Sequence, residues 1–107
     1  MALLCPDLLF GSRVEGALSA AGHEVTRFDA PDAAREAAAD ADVLVVDLTA
    51  DSYDGAELGS AGVPTLGFYS HVDVETRRRA EGAGYDLVVP RSRMARETVA
   101  LVERLAS

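Results

Sequence analysis

The 107-residue sequence predicts an open α/β fold with a parallel sheet, and two patterns support this. Short apolar runs alternate with segments whose apolar residues recur every three or four positions, giving roughly five strands and five helices. Residues 43–46 are apolar and mostly β-branched, as expected for a strand that helices cover on both sides. Parallel strands joined by right-handed crossovers bring their carboxyl ends to one edge, where ligands bind.

The individual elements follow from local signals. Strands are predicted at residues 2–5, 23–28, 43–46, 65–69 and 87–89. Helices are predicted at residues 12–21, 32–40, 73–81 and from 92 onward. Ser12, Asp73 and Ser92 are predicted N-caps, and Gly22 suits the end of the first helix. Glycines at positions 55, 59 and 62 limit the third crossover to about two helical turns.

The composition predicts one domain, residues 1–107, in the cytoplasm. The chain is 49% hydrophobic and has a net charge of −8, which argues against nucleic-acid binding. No apolar run approaches the roughly 20 residues of a membrane helix, and no secretory signal is present. All ten basic residues are arginine, which excludes lysine chemistry such as a P-loop. The single cysteine excludes an internal disulfide and a cysteine-based zinc site.

Polar side chains follow the predicted strands at the carboxyl edge of the sheet. Asp47 ends the central strand, Tyr69 and Ser70 end the next, Arg91 follows the last, and Asp7 comes shortly after the first. A carboxylate, a hydroxyl and a cation at one edge could bind a phosphoryl group or Mg²⁺. The alternative is that these residues are polar only because loops are solvated.

Two segments resemble response-regulator receiver domains. In that family an aspartate ends the third strand, as Asp47 does in residues 42–58, and an Asp-Gly pair follows, as Asp54 and Gly55 do. Residues 84–92 are similar to the family's fifth strand. The family has Pro-Lys-Ser there, and this chain has Pro-Arg-Ser with Arg91 at the centre. The resemblance covers nearly the whole chain. It implies a flavodoxin-like three-layer sandwich with a five-stranded parallel sheet of order 2-1-3-4-5 and a shortened third helix.

The departures from the family concern the phosphorylation site. Cys5 and Pro6 stand where receivers carry the adjacent acidic residues that hold Mg²⁺, and Asp7 comes one residue late. Cysteine and proline offer no hard oxygen ligand, so Mg²⁺ binding is expected to be weak or absent. If the ion binds, the resemblance implies Asp7, Asp47 and Thr49 as its site.

Two further substitutions affect the same site. Tyr69, next to Ser70, stands where the family has a small hydroxyl residue, and Arg91 replaces the family's lysine. Because arginine favours bidentate pairing with a carboxylate, a standing Asp47–Arg91 ion pair is predicted. Asp47, Tyr69, Ser70 and Arg91 would then be remnants of a phosphorylation site. The resulting prediction is a stand-alone, atypical receiver-like signalling module without a cofactor or enzymatic activity, acting through protein–protein contacts.

Four arginines form the predicted partner face. They are Arg77, Arg78, Arg79 and Arg93. The resemblance implies that the fourth helix, fifth strand and fifth helix meet partners or form a homodimer, and a basic stripe there would select an acidic partner protein. The alternative is a solvated helix face on which Glu75 and Glu81 pair with the arginines.

Other functions remain open at this stage. Asp47 could be a working phosphoacceptor with Asp7 as a displaced Mg²⁺ ligand. Tyr69, Arg91 and the shortened third helix could instead open a pocket for a small ligand. Ser70, His71 and Asp73 are the residue types of a hydrolytic triad, but without a Gly-x-Ser-x-Gly turn hydrolysis is not expected.

Overall fold

The computed structural model describes residues 1–70 and 73–106, and its centre is a five-stranded parallel sheet. The strands are β1 (Ala2–Leu4), β2 (Thr26–Phe28), β3 (Leu44–Asp47), β4 (Thr65–Tyr69) and β5 (Leu87–Pro90). Their order is β2-β1-β3-β4-β5, and every neighbouring pair is parallel. The predicted fold class and strand order are confirmed. His71, one residue of the triad considered above, lies outside the described part of the chain.

Helices cover both faces of this sheet. They are α1 (Leu8–Ala20), α2 (Pro31–Ala38), α3 (Val74–Gly82) and α4 (Arg91–Ala106). Between β3 and β4 the chain forms only a 3₁₀ segment (Gly55–Ser60), which confirms the shortened third helix. None of the helices in the described ranges is long and apolar enough to cross a membrane.

The alternation of side chains along the strands builds two separate cores. Leu3, Val45 and Phe68 point to one face and pack with residues of α1 and α4. Leu4 and Val46 point to the other face and pack with residues of α2, the 3₁₀ segment and α3. Because successive strand residues face opposite sides, an uninterrupted apolar run is what a strand between two helical layers requires.

The start of α1 differs from the prediction. The helix begins at Leu8 and its N-cap is Asp7, whose carboxylate accepts a hydrogen bond from the Phe10 N–H at 3.0 Å. Ser12 therefore lies inside the helix. An aspartate is as good an N-cap as a serine, and here it satisfies an amide that would otherwise lack a partner. The predicted left-handed residue at the other end, Gly22, is confirmed by its φ of 94°.

The carboxyl-terminal helix also begins earlier than predicted. α4 starts at Arg91, directly after the last strand residue, so Ser92 lies in the first turn rather than at the cap. The helix is kinked at Glu97, where the Thr98 hydroxyl donates to the Met94 carbonyl at 2.6 Å. Such a bond back to the preceding turn commonly bends helices. Because α4 starts directly after β5, Arg91 lies at the carboxyl edge of the sheet.

Candidate functional site

Asp47 lies at the carboxyl end of β3 and is almost completely buried, with 2% of its surface exposed. One carboxylate oxygen, Oδ1, accepts hydrogen bonds from the Thr49 N–H at 2.9 Å and the Thr49 hydroxyl at 2.6 Å. The other, Oδ2, lies 3.7 Å from the Cys5 thiol, which donates to it. Both oxygens therefore have partners within the chain.

Two tyrosines hold the loop after β3 in place. The Tyr53 hydroxyl donates to the Asp47 backbone carbonyl at 2.7 Å, and the Tyr85 hydroxyl donates to the Gly55 carbonyl at 2.5 Å. Burial raises the pKa of both phenols, and the Asp47 carboxylate raises that of Tyr53 further. Both hydroxyls therefore stay protonated and continue to act as hydrogen-bond donors.

Cys5 occupies the position on β1's carboxyl side that faces Asp47. Burial, followed by the negative charge of Asp47, raises the pKa of the thiol from 9.0 to about 11. A thiol that keeps its proton is a poor ligand for any cation, and sulfur is a poor ligand for Mg²⁺ in particular.

The Asp7 carboxylate bonds to the first turn of α1 and to Arg91. One of its oxygens caps the helix, and the other accepts a hydrogen bond from the Arg91 guanidinium. The Phe10 N–H, followed by Arg91, lowers the pKa of the Asp7 carboxyl below its usual value.

The donor set does not fit Mg²⁺. In residues 1–70 and 73–106, no group of three or more His, Cys, Asp or Glu side chains is arranged to hold a metal ion. The carboxylates of Asp7 and Asp47 each serve other partners, and Cys5 contributes a protonated thiol. Since Mg²⁺ is held by one or two carboxylates together with waters, it would have to compete with Thr49 for Asp47 or with Arg91 for Asp7.

The predicted Asp47–Arg91 ion pair is wrong. Arg91 pairs with Asp7, and its guanidinium carbon lies 4.3 Å from the centre of the Phe10 ring. Phe10 in turn packs on Phe68 with ring centres 5.0 Å apart. The physical reason is solvation, because a pair with Asp47 would bury both charges whereas Asp7 is exposed.

Tyr69 and Ser70 do not form a common site. Tyr69 is 5% exposed and packs in the core below α3 and the 3₁₀ segment. Ser70 lines an open cleft of about 730 Å³ between the loop after β3 and the start of α3. Thr49, Asp54, Thr76 and Arg79 line the same cleft, whereas Asp47 does not line it.

The four arginines of the predicted partner face lie on α3 and α4, and three of them have carboxylate partners. Arg77 pairs with Glu81 at 3.5 Å, and Arg93 pairs with Glu97 at 3.2 Å. Arg79 pairs with Asp54. Arg78 is exposed, and no carboxylate within the described ranges forms an ion pair with it.

Sequence reasoning missed one exposed feature. Leu8 and Leu9 are 76% and 87% exposed at the first turn of α1. An N-cap at Ser12 would leave both leucines in the loop before the helix. Recognising Asp7 as the cap would have placed two leucines on consecutive positions of a helix, where only one face can be buried.

The structure is similar to solved response-regulator receiver domains. The receiver domain of NtrX from Brucella abortus matches with a TM-score of 0.84 and 21% identity, over 98% of this chain and 96% of that chain. The receiver domain of NarL from Mycobacterium tuberculosis matches with a TM-score of 0.82 and 23% identity, over 98% and 93%. FixJ-N matches with a TM-score of 0.84 and 20% identity, over 98% and 90%.

The chain has the receiver fold. No protein-family model matches the sequence, and no curated protein is significantly similar to it. The likeness is therefore one of architecture, and what a receiver fold does in this chain depends on the residues at its edge.

Proposed function

We propose that this chain is a receiver-fold signalling module that acts through protein contacts and does not depend on phosphorylation of Asp47. The observation that carries the proposal is the enclosure of the Asp47 carboxylate by Thr49 and Cys5. The proposal assigns the chain no enzymatic activity and no cofactor, and places it in the cytoplasm.

Phosphoryl transfer to a carboxylate makes three demands. One oxygen must be accessible to the donor, the donor must lie in line with it, and positive charge must neutralise the transferring group. With 2% of Asp47 exposed, neither carboxylate oxygen is open to a donor unless neighbouring groups move. Freeing Oδ1 breaks the two hydrogen bonds from Thr49.

The supply of positive charge argues in the same direction. Arg91 is held by Asp7 and by the face of Phe10, and the carboxylates near Cys5 do not make a Mg²⁺ site. Since phosphoryl transfer relies on positioning and charge neutralisation, a buried carboxylate without either cation is poorly suited to it.

The acidic partner and the homodimer predicted for α3 and α4 remain proposals. Arg78 is the exposed arginine of that face for which the described residues supply no ion pair. The pairs Arg77–Glu81 and Arg79–Asp54 lower the net positive charge that an acidic partner would meet there. This reduces the electrostatic attraction expected of the stripe.

One observation favours a second candidate function. The cleft of about 730 Å³ beside Thr49 and Ser70 is within the size range of small-molecule sites. Its lining is mostly polar, and Arg79 at its margin already pairs with Asp54. We therefore rank small-ligand binding below protein contact.

An amide NMR titration tests the proposal. The wild-type chain and an Asp47→Asn variant receive Mg²⁺ at millimolar concentration, then beryllofluoride as a phosphoryl mimic, with an active receiver domain in parallel as a reagent control. We expect no saturable shifts at Asp47, Thr49 or Ser70 in either protein. Saturable shifts in the wild type that disappear in Asp47→Asn would show a working phosphoacceptor and contradict the proposal.

A further inference from the structure

The cleft between the loop after β3 and the start of α3 has the size and the mixed lining of a small-molecule site. Its volume is about 730 Å³. Leu48 and Ala56 supply apolar surface on the loop side, and Thr49, Ser70 and Thr76 supply hydroxyl groups. Sites for small molecules combine apolar surface, which holds the body of the ligand, with a few polar groups that orient it.

Tyr53 adds an aromatic ring to the lining of this cleft. The residue is half-buried, and its hydroxyl already donates to the Asp47 backbone carbonyl at 2.7 Å. What Tyr53 can offer a ligand is therefore its ring. Since the face of an aromatic ring carries partial negative charge, it attracts cations.

The charged residues of the cleft are mostly acidic. They are Asp51, Asp54, Asp73 and Arg79. Arg79 pairs with Asp54, so these two charges cancel. No cation of residues 1–70 and 73–106 forms an ion pair with Asp51 or Asp73. The described residues therefore leave two negative charges of the cleft uncompensated, in a chain whose net charge is −8.

The arrangement of these carboxylates favours an organic cation over a metal ion. Within the described ranges no three acidic, histidine or cysteine side chains are grouped to hold a metal. Asp73 caps α3 by accepting hydrogen bonds from the N–H and hydroxyl of Thr76, which are neutral donors. A carboxylate has about four acceptor sites, so it can still accept N–H groups from a ligand. An ammonium or guanidinium group supplies several such donors.

We propose that this cleft binds a small organic cation, with an ammonium or guanidinium group on an aliphatic or aromatic body. The cationic group would bond to Asp51 and Asp73, and the body would lie against Leu48 and the Tyr53 ring. This gives the second candidate function above a class of ligand. It is compatible with signalling through protein contacts and does not require a particular chemical state of Asp47.

Three compounds with the same body test the sign of the ligand. They are 4-phenylbutylamine, 4-phenylbutanol and 4-phenylbutyrate, which at about pH 7 are cationic, neutral and anionic. We expect the amine to give saturable amide shifts at Thr49, Asp51, Ser70 and Thr76. The alcohol should bind about tenfold more weakly, because it lacks the charge-assisted hydrogen bonds. No saturable shifts with the amine, or equal binding of all three compounds, would overturn the proposal.

Variants locate the contact. Asp51→Asn should weaken binding of the amine about fivefold and leave binding of the alcohol unchanged. Asp32→Asn removes the same charge from α2 and is the matched control, which should bind the amine as the wild type does. Arg79→Gln removes the cation beside Asp54 and should tighten binding of the amine. Saturable binding of the butyrate that Arg79→Gln abolishes would show an anion site and contradict the proposal.

A lysine side chain of another protein presents the same ammonium group. Nα-acetyl-lysine amide carries that group on a polar backbone, which suits the apolar surface of Leu48 and Tyr53 poorly. We expect it to bind about tenfold more weakly than the amine, since burial of the apolar body is lost. Equal or tighter binding of this compound would assign the cleft to a protein side chain and overturn the small-molecule proposal.

The test is separable from that of the proposed function. If the amine fails to bind while the beryllofluoride titration stays silent, only the cation site is wrong. If the amine binds and beryllofluoride also saturates Asp47, the cation site stands and the phosphorylation-independent function is wrong.

Discussion

At the scale of single residues, Thr49 holds Asp47 in place. Thr49 lies two positions after Asp47 and gives both its amide and its hydroxyl to the same carboxylate oxygen. Short-range bonds of this kind form locally in a turn. The carboxylate is thereby satisfied without a cation, although it is buried.

Thr49→Val tests how much this hydroxyl contributes. The substitution removes one hydrogen bond to a buried charged group, so we expect it to lower the free energy of unfolding by about 1–3 kcal/mol. In an Asp47→Asn background the loss should be about half as large, because bonds to neutral acceptors are weaker. Urea unfolding of the four proteins measures both values. Thr26→Val, at an exposed position of β2, is the control; an equal loss there would refute the account.

The Cys5 thiol is expected to lower the free energy of unfolding as the pH becomes alkaline. Its thiol has a pKa of about 11 in the folded chain against 9.0 ordinarily, so the unfolded chain loses this proton first as pH rises. Stability from this group is complete below about pH 9 and is lost as pH rises towards about 11, by about 2–3 kcal/mol. Urea midpoints at about pH 8 and about pH 10.5 should show this fall.

Cys5→Ala isolates the contribution of the thiol. Tyr53 and Tyr85 also have raised pKa values and lower the stability of both proteins at high pH. The difference between wild type and variant therefore reports Cys5, including the effect of its thiolate charge on Tyr53. If the two proteins lose the same stability between those pH values, the thiol is not held protonated as described.

At the scale of elements, the 3₁₀ segment between β3 and β4 packs closely against the residues that follow α3. A Cβ added at Gly59 would lie 2.5 Å from the Ala83 carbonyl oxygen and 3.0 Å from Tyr85. Only glycine allows the segment to approach the backbone after α3 at this distance. The close approach to the backbone after α3 therefore depends on glycine at position 59.

Gly59→Ala is expected to be destabilising by about 1–3 kcal/mol, since the contact is with backbone that cannot rotate away. Gly16→Ala in α1 is the matched control, because nothing lies within 4 Å of the added Cβ. It should raise stability by about 0.5–1 kcal/mol, as alanine is the better helix former. Thermal or urea unfolding measures both changes. A neutral Gly59→Ala would show that the segment can move apart from α3.

The positions of the strands and helices were easier to predict than the residues at which they begin and end. The apolar strands and the cap at Asp73 follow from local patterns, and the structure confirms them. The start of α1 was missed because both Asp7 and Ser12 are good caps, and only packing of Phe10 on Phe68 selects the first. Residue type alone does not choose between them.

At the scale of the whole molecule, the fold could be predicted from the sequence, but the carboxylate that pairs with Arg91 at the edge of the sheet could not. Alternating strand and helix patterns predict the parallel sheet, and two apolar cores confirm it. Asp7, Asp47 and Arg91 were all predicted at the carboxyl edge, yet which carboxylate takes the arginine depends on burial. Asp47 is enclosed and Asp7 is exposed, a distinction that no local pattern in the sequence reveals.

The central claim is that the buried Asp47 does not accept a phosphoryl group, and intact-protein mass spectrometry tests it most directly. The chain is incubated with acetyl phosphate and Mg²⁺, beside an active receiver domain and the Asp47→Asn variant. The account predicts that the mass of this chain stays unchanged while the active receiver gains one phosphoryl group. A gain of one phosphoryl group that hydroxylamine removes and Asp47→Asn prevents would contradict it.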